Sequence, residues 1–146
     1  MESVLGEMRL ELKPIKVNYT RHLRHLVIMA DPYYFSQAVE NILSNAVDAL
    51  QHVPEKSRLN EIETNMKNKW VELIIRDNGI GIADEDIGNI FQPFFSSKPT
   101  ATNWGMGLSL CHTIITTHGG KISAASRRGE GSSFHIVMPL LSTSNN

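Results

Sequence analysis

The chain of 146 residues carries 14 basic and 15 acidic side chains, a net charge of −1, and so has no cationic excess for a phosphate backbone or an anionic membrane surface. Its length and 41% hydrophobic content suit one ordinary globular domain spanning residues 1–146, expected to be a monomer in isolation. The longest apolar run, Leu26 to Ala30, falls far short of the roughly 20 residues of a membrane-spanning helix, Met1-Glu2-Ser3 does not open a signal peptide, and the lone Cys111 permits no internal disulfide. A cytoplasmic domain without nucleic-acid or membrane contact is the expectation.

In chain order, residues 2–13 carry a weak helical pattern (Val4, Leu5, Met8, Leu12) that Pro14 ends. Ile15 to Tyr19 alternates like a half-buried strand, so residues 1–25 read as an N-terminal helix and strand, and Leu26 to Met29 reads as a second strand. Asp31-Pro32 opens a helix over about 32–51, with Asp31 as cap. Its apolar positions Phe35, Ala38, Val39, Ile42, Leu43, Ala46, Val47 and Leu50 follow the spacing of one buried face. A strand near 59–66 precedes Trp70 to Arg76, whose Val71-Glu72-Leu73-Ile74-Ile75 is apolar enough for a central strand covered on most of both faces.

A long loop follows, interrupted by a short helical turn that Asp84 is expected to cap and that carries Ile87, Ile90 and Phe91. The next helix, about 107–118, buries Leu108, Cys111, Ile114 and Ile115 and stops at Gly119-Gly120. Strands Lys121 to Ser126 and Ser132 to Met138 close the chain around Gly129-Glu130-Gly131, and residues 141–146 read as a disordered tail. Mixed strands and helices with a terminal hairpin predict an α/β two-layer sandwich, a mixed sheet packed on one side by helices.

Three clusters could carry chemistry. Asn41, Asn45 and Asp48 fall within about 60° of one another on the polar side of helix 32–51, because steps of four and three nearly complete whole turns. They read either as a solvated face or as oxygen ligands for Mg²⁺, whose remaining positions would go to phosphates and water. Asp77-Asn78-Gly79-Ile80-Gly81 reads either as a type I′ hairpin turn or as a place where a flat base approaches the backbone while Asp77 accepts a hydrogen from an exocyclic amine. Gly105-Met106-Gly107 stands at a helix entrance, where unpaired amides favour an anion. Neither a GxxxxGK[ST] loop nor a completed GxGxxG is present, which removes P-loop and dinucleotide-binding readings.

In order, these segments resemble the catalytic ATP-binding domain of sensor histidine kinases, within the superfamily of gyrase-type and mismatch-repair ATPases and Hsp90-type chaperones. Asn41-Ile42-Leu43-Ser44-Asn45-Ala46 is similar to the family's N box and Asp77-Asn78-Gly79-Ile80-Gly81-Ile82 to its first glycine box. Phe91-Gln92-Pro93-Phe94-Phe95 is similar to its F box and Gly105-Met106-Gly107-Leu108 to its second glycine box. The resemblance implies a Bergerat-type fold binding ATP and Mg²⁺, with Asn45 on the metal, Asn41 and Asp48 supporting metal and phosphates, and Asp77 reading the adenine amine. It implies further that Gly79, Gly81 and Ile82 border the base and that residues 83–104 form a mobile ATP lid anchored by Phe94 and Phe95. Lys98 would contact phosphate, and Gly105, Met106, Gly107 and Leu108 would present the triphosphate site.

Departures from the family pattern are Trp104 before the second glycine box and Ser109 where a third glycine is common. Hydrolytic members of the superfamily place a glutamate at the position of Asn41, and an amide cannot take a proton from water, so phosphotransfer is favoured over hydrolysis. No histidine followed by an acid, arginine and proline is present; His22-Leu23-Arg24-His25 does not match, so the acceptor is expected on a dimerisation domain absent from this chain. His52, His112, His118 and His135 lack metal-ligand spacing. The resemblance implies a response regulator downstream and makes this domain the cytoplasmic part of a sensor. A stand-alone anti-sigma-type serine kinase and a nucleotide-sensing module without transfer activity are the alternatives.

Overall fold

A computed structural model describes residues 16–21, 26–28, 32–51, 53–54, 57–92 and 107–143. The strands are β1 (Lys16–Arg21), β2 (Leu26–Ile28), β3 (Leu59–Lys67), β4 (Trp70–Asp77), β5 (Lys121–Arg127) and β6 (Gly131–Thr143). The helices are α1 (Pro32–Leu50), the single turn α2 (Asp84–Ile87) and α3 (Gly107–Thr117). The helix expected over 2–13 and the Asp31 cap lie outside the described residues.

The six strands form one sheet in the order β1-β3-β4-β6-β2, with β5 also pairing β6. Only β1 and β3 run parallel; every other pair is antiparallel, so the sheet is mixed as expected. β6 is long enough to serve two neighbours in succession, pairing β5 through Gly131–Val137 and β2 from Leu140 to Thr143. The strand expected to end at Met138 therefore continues, and residues 141–143 are strand, not tail. Pairing with β2 explains the difference, since a polar Ser-Thr end has little strand signal of its own.

Both long helices lie on one face. Ala38, Val39, Ile42, Leu43 and Leu50 of α1 meet Cys111, Ile114 and Ile115 of α3 and the inward residues Ile62, Leu73, Ile75, Phe134, Ile136 and Met138 of the sheet in one core. The opposite face carries Glu61, Glu63, Arg76, Ser133 and His135 around the buried Ile74, with an Arg76–Glu63 ion pair at 3.1 Å and a Ser133–His135 hydrogen bond at 2.8 Å.

α3 ends in a Schellman turn: the Gly120 amide donates to the Ile115 carbonyl at 2.9 Å and the Gly119 amide to Thr116 at 3.1 Å, with Gly119 at φ +82°. α2 departs from expectation at its start. Its cap is Ala83, which uses no side chain, and Asp84 is already helical, so the acidic run Asp84-Glu85-Asp86 lies within the first turn. Carboxylates there face the positive end of the peptide dipoles.

Candidate nucleotide site

Apart from Thr64 of β3, the core-facing positions of β3 to β6 are apolar except at one end. There Asn60, Asp77, Ser132 and Ser126 stand side by side across β3, β4, β6 and β5, one strand position beyond the row Ile62, Ile75, Phe134 and Ala124. Alternation places all four on the face that holds the core. The Ser126 hydroxyl lies 2.9 Å from that of Ser132, donates to the Gly131 carbonyl at 2.8 Å, and accepts from the Ile82 amide at 2.7 Å.

Asp77 ends β4 half-buried, and its Oδ1 accepts the Gly79 amide at 2.9 Å in an Asx turn. The neighbouring Asn78 fastens this turn to the start of β3. Its Oδ1 accepts from the Leu59 amide at 2.8 Å, and its Nδ2 donates to the Ser57 carbonyl at 2.6 Å. No hairpin follows: after Gly79 the chain turns beneath α1, where the Ile80 amide donates to the Ala49 carbonyl at 3.2 Å. The turn is so close to the helix that a Cβ on Gly79 would stand 2.7 Å from that carbonyl oxygen. Gly81, at φ +75°, is pressed in the same way against the Arg127 carbonyl.

α1 brings the half-buried Asn41 and Asn45 and the exposed Asp48 to one face. Asn41 Nδ2 donates to the Gly107 carbonyl at 3.4 Å, so this face meets the first turn of α3. A Cβ on Gly107 would meet nothing within 4 Å, in contrast to Gly79 and Gly81; nothing among the described residues requires glycine there. One layer deeper, the Cys111 thiol donates to the Ala38 carbonyl at 3.1 Å. Burial pushes this thiol up to about 12, against smaller lowering contributions from the Asn41 side chain and a backbone hydrogen bond.

The arrangement joins an acceptor carboxylate at a sheet end, an amide-bearing helix face and a helix entrance. Residues 30–142 match the family described as histidine kinase-, DNA gyrase B-, and HSP90-like ATPases. The chain belongs to this family. The two-component sensor PprA of Pseudomonas aeruginosa is 34% identical over 141 residues, covering 94% of this chain and 15% of that protein. The sensor histidine kinase ZraS of Escherichia coli (strain K12) is 32% identical over 129 residues, covering 88% of this chain and 26% of that protein. The solved catalytic domain of histidine kinase ThkA superposes with a TM-score of 0.82 at 26% identity, covering 94% of this chain and 88% of that one. The chain spans a minor part of the two sensor proteins, and what it matches is the ATP-binding catalytic domain of the sensor histidine kinase type.

Within this ATPase-family domain, the segment expected as a mobile lid starts as part of the core. Ile90 is buried, Ile87 and Phe91 pack on the core cluster, and Phe91 meets Phe134 edge-on at 6.4 Å and His112 at 5.8 Å. Residues 83–92 are therefore fastened, because three apolar side chains in two turns find a place under α3. Phe94, Phe95, Lys98, Trp104, Gly105 and Met106 lie outside the described residues, as do His22, His25 and His52. Ile82 and Leu108 are half-buried and pack against the core. Ser109, where the family often has glycine, is buried in α3.

The glycines of the first box have a packing role of their own. What their missing side chains admit is the backbone of Ala49 and Arg127, whatever else borders them. Asn78 enters the sequence reading only as part of the turn, and Asn60 not at all, although Asn60, Ile62 and Thr64 share one strand phase and so put an amide at a core position. Among the described residues no group of three or more His, Cys, Asp or Glu side chains could hold a metal ion, and no helix is long and apolar enough to cross a membrane.

Proposed function

We propose that this domain binds Mg·ATP between α1, the first turn of α3 and the polar end of the sheet, and delivers the γ-phosphate to a histidine on another domain. The observation that carries this reading is the Asn41–Gly107 contact, which sets the amide face of α1 against the entrance of α3. Asp77 would accept the adenine amine, and the α3 entrance would receive phosphate, as helix N-termini do. The donor set suits a hard cation: a half-buried carboxamide, Asn45, beside the exposed carboxylate of Asp48, both offering oxygen. Asn45 would hold Mg²⁺, with Asn41 and Asp48 supporting it, and the bound ion would offset charge on the phosphate oxygens.

Asn41 is an amide and cannot serve as a base for water, so the chain's own residues orient ATP without activating a hydrolytic nucleophile. The work left to the domain is positioning for in-line attack by an acceptor it does not itself supply. A histidine-bearing dimerisation domain would be that acceptor, and a response regulator would receive the phosphate next. ATP as substrate and a reduced, buried Cys111 both suit the cytoplasm.

Incubation with γ-labelled ATP tests the reading. The domain alone should stay unlabelled, and adding a histidine-bearing dimerisation hairpin from a sensor kinase should give acid-labile label on the hairpin. Acid-stable label on a protein serine would point to the serine-kinase alternative, and label on His22 or His25 would overturn the assignment of the acceptor to another domain.

A further inference from the structure

The Asn60 side chain is 0% exposed, and among the described residues neither its Nδ2 nor its Oδ1 has a hydrogen-bond partner. A buried amide with nothing to bond is costly, and native proteins rarely retain one without a use. Its position is specific: Asn60 is the direct cross-strand partner of Asp77, on the same face, where paired Cβ atoms lie about 4.5–5.5 Å apart. A leucine or valine would fill the same core-phase position without the penalty, as Ile62 does two residues on.

We infer that Asn60 is a positioning residue for Asp77, its Nδ2 donating to the Asp77 carboxylate when a purine nucleotide occupies the pocket and so fixing that carboxylate for the exocyclic amine. The inference rests on the nucleotide reading of the site. Its physical basis is dehydration: a base seated over the sheet end strips water from a carboxylate, which then needs donors from the protein. Gly79 already supplies one at 2.9 Å. Asn60 is the cross-strand neighbour of Asp77 and gives up no partner among the described residues to supply a further one. A charge-assisted bond of this kind is stronger than one between neutral groups.

The test is calorimetric titration of the 146-residue chain with ATP and with purine riboside triphosphate, which lacks the exocyclic amine. Asn60→Leu should raise the Kd for ATP about tenfold. The analogue should lose much less, so the preference for ATP over it shrinks; a residue that merely held the fold would weaken both ligands alike. The ligand-free Tm should hold or rise by about 2–4 °C as the unpartnered amide disappears. In an Asp77→Asn background, Asn60→Leu should cost no further ATP affinity. Asn60→Val, better suited to a strand, repeats the measurement should the leucine variant not fold. Unchanged ATP affinity in a folded Asn60 variant, or an undiminished penalty in the Asp77→Asn background, overturns this inference alone. ATP affinity unchanged in Asp77→Asn overturns the nucleotide reading and this inference with it.

Discussion

Gly79 lies directly against Ala49: a Cβ on the glycine would stand 2.7 Å from the Ala49 carbonyl oxygen and 2.8 Å from the Ala49 Cβ. The contact holds the Asp77 turn beneath the helix that carries Asn45 and Asp48, so the spacing between the two halves of the site depends on it. Gly79→Ala should destabilise the domain by about 1–3 kcal/mol in urea unfolding, because the helix backbone has to move. Gly88→Ala is the control. Its Cβ would meet nothing within 4 Å, its φ is −74°, and its effect should stay within about 0.5 kcal/mol. Equal effects of the two substitutions would show that the Gly79 contact yields freely.

The amide face of α1 gives a metal-dependent expectation. Asn45→Ala should weaken Mg·ATP by about tenfold or more while changing metal-free ATP much less, since only the former loses a ligand oxygen. Titration calorimetry with and without Mg²⁺ decides, and equal losses would remove Asn45 from the metal.

Asp77 sets the choice of base. An ionised carboxylate offers only acceptors, which suits the adenine amine and opposes the guanine carbonyl, at a cost of about 1–3 kcal/mol in a dehydrated pocket. GTP should therefore bind at least about tenfold more weakly than ATP. Asp77→Asn retains an oxygen for the Gly79 amide, so the Asx turn survives; it should weaken ATP and narrow the gap to GTP. Wild-type ATP affinity in that variant would reduce Asp77 to the end of a strand.

Cys111 supplies a pH dependence unrelated to ATP. Burial raises its thiol from 9.0 to about 12 in the folded domain, so between those values the native state holds a proton that the unfolded chain releases. The resulting contribution to stability is complete below about pH 9 and is lost as pH rises toward about 12. Cys111→Ser should flatten the decline in urea midpoint across this range. At pH 8 iodoacetamide should modify the folded domain far more slowly than the urea-unfolded chain.

Most of the architecture was legible because it rests on local periodicity. The stripe from Phe35 to Leu50, the apolar run in β4 and the glycine stop after α3 each announce their element within a few residues. What escaped depends on partners remote in sequence. Residues 141–143 are strand only because β2 lies beside them, and Asn60 has meaning only once β3 is registered against Asp77. The two box glycines announce a close approach but not what approaches, and among the described residues the backbone of Ala49 and Arg127 does so. For the proposed site, the sequence points to Asp77 and the α1 face as candidates, whereas the role of Asn78, which ties the turn to β3, is hidden behind the ambiguity of an Asn-Gly pair.

The pairing of Leu26 with Thr143 joins strands far apart in the sequence, with α1, three strands and both shorter helices between them. Closing so large a loop costs chain entropy before any contact compensates, and long-range pairings of this kind slow folding. The β3–β4 and β5–β6 hairpins and the α1 stripe can form from neighbouring residues, whereas the β2 edge has to wait until β6 is laid down beside both β5 and β4. On the cost of loop closure, the strand nearest the start of α1 is expected to be among the last to be secured.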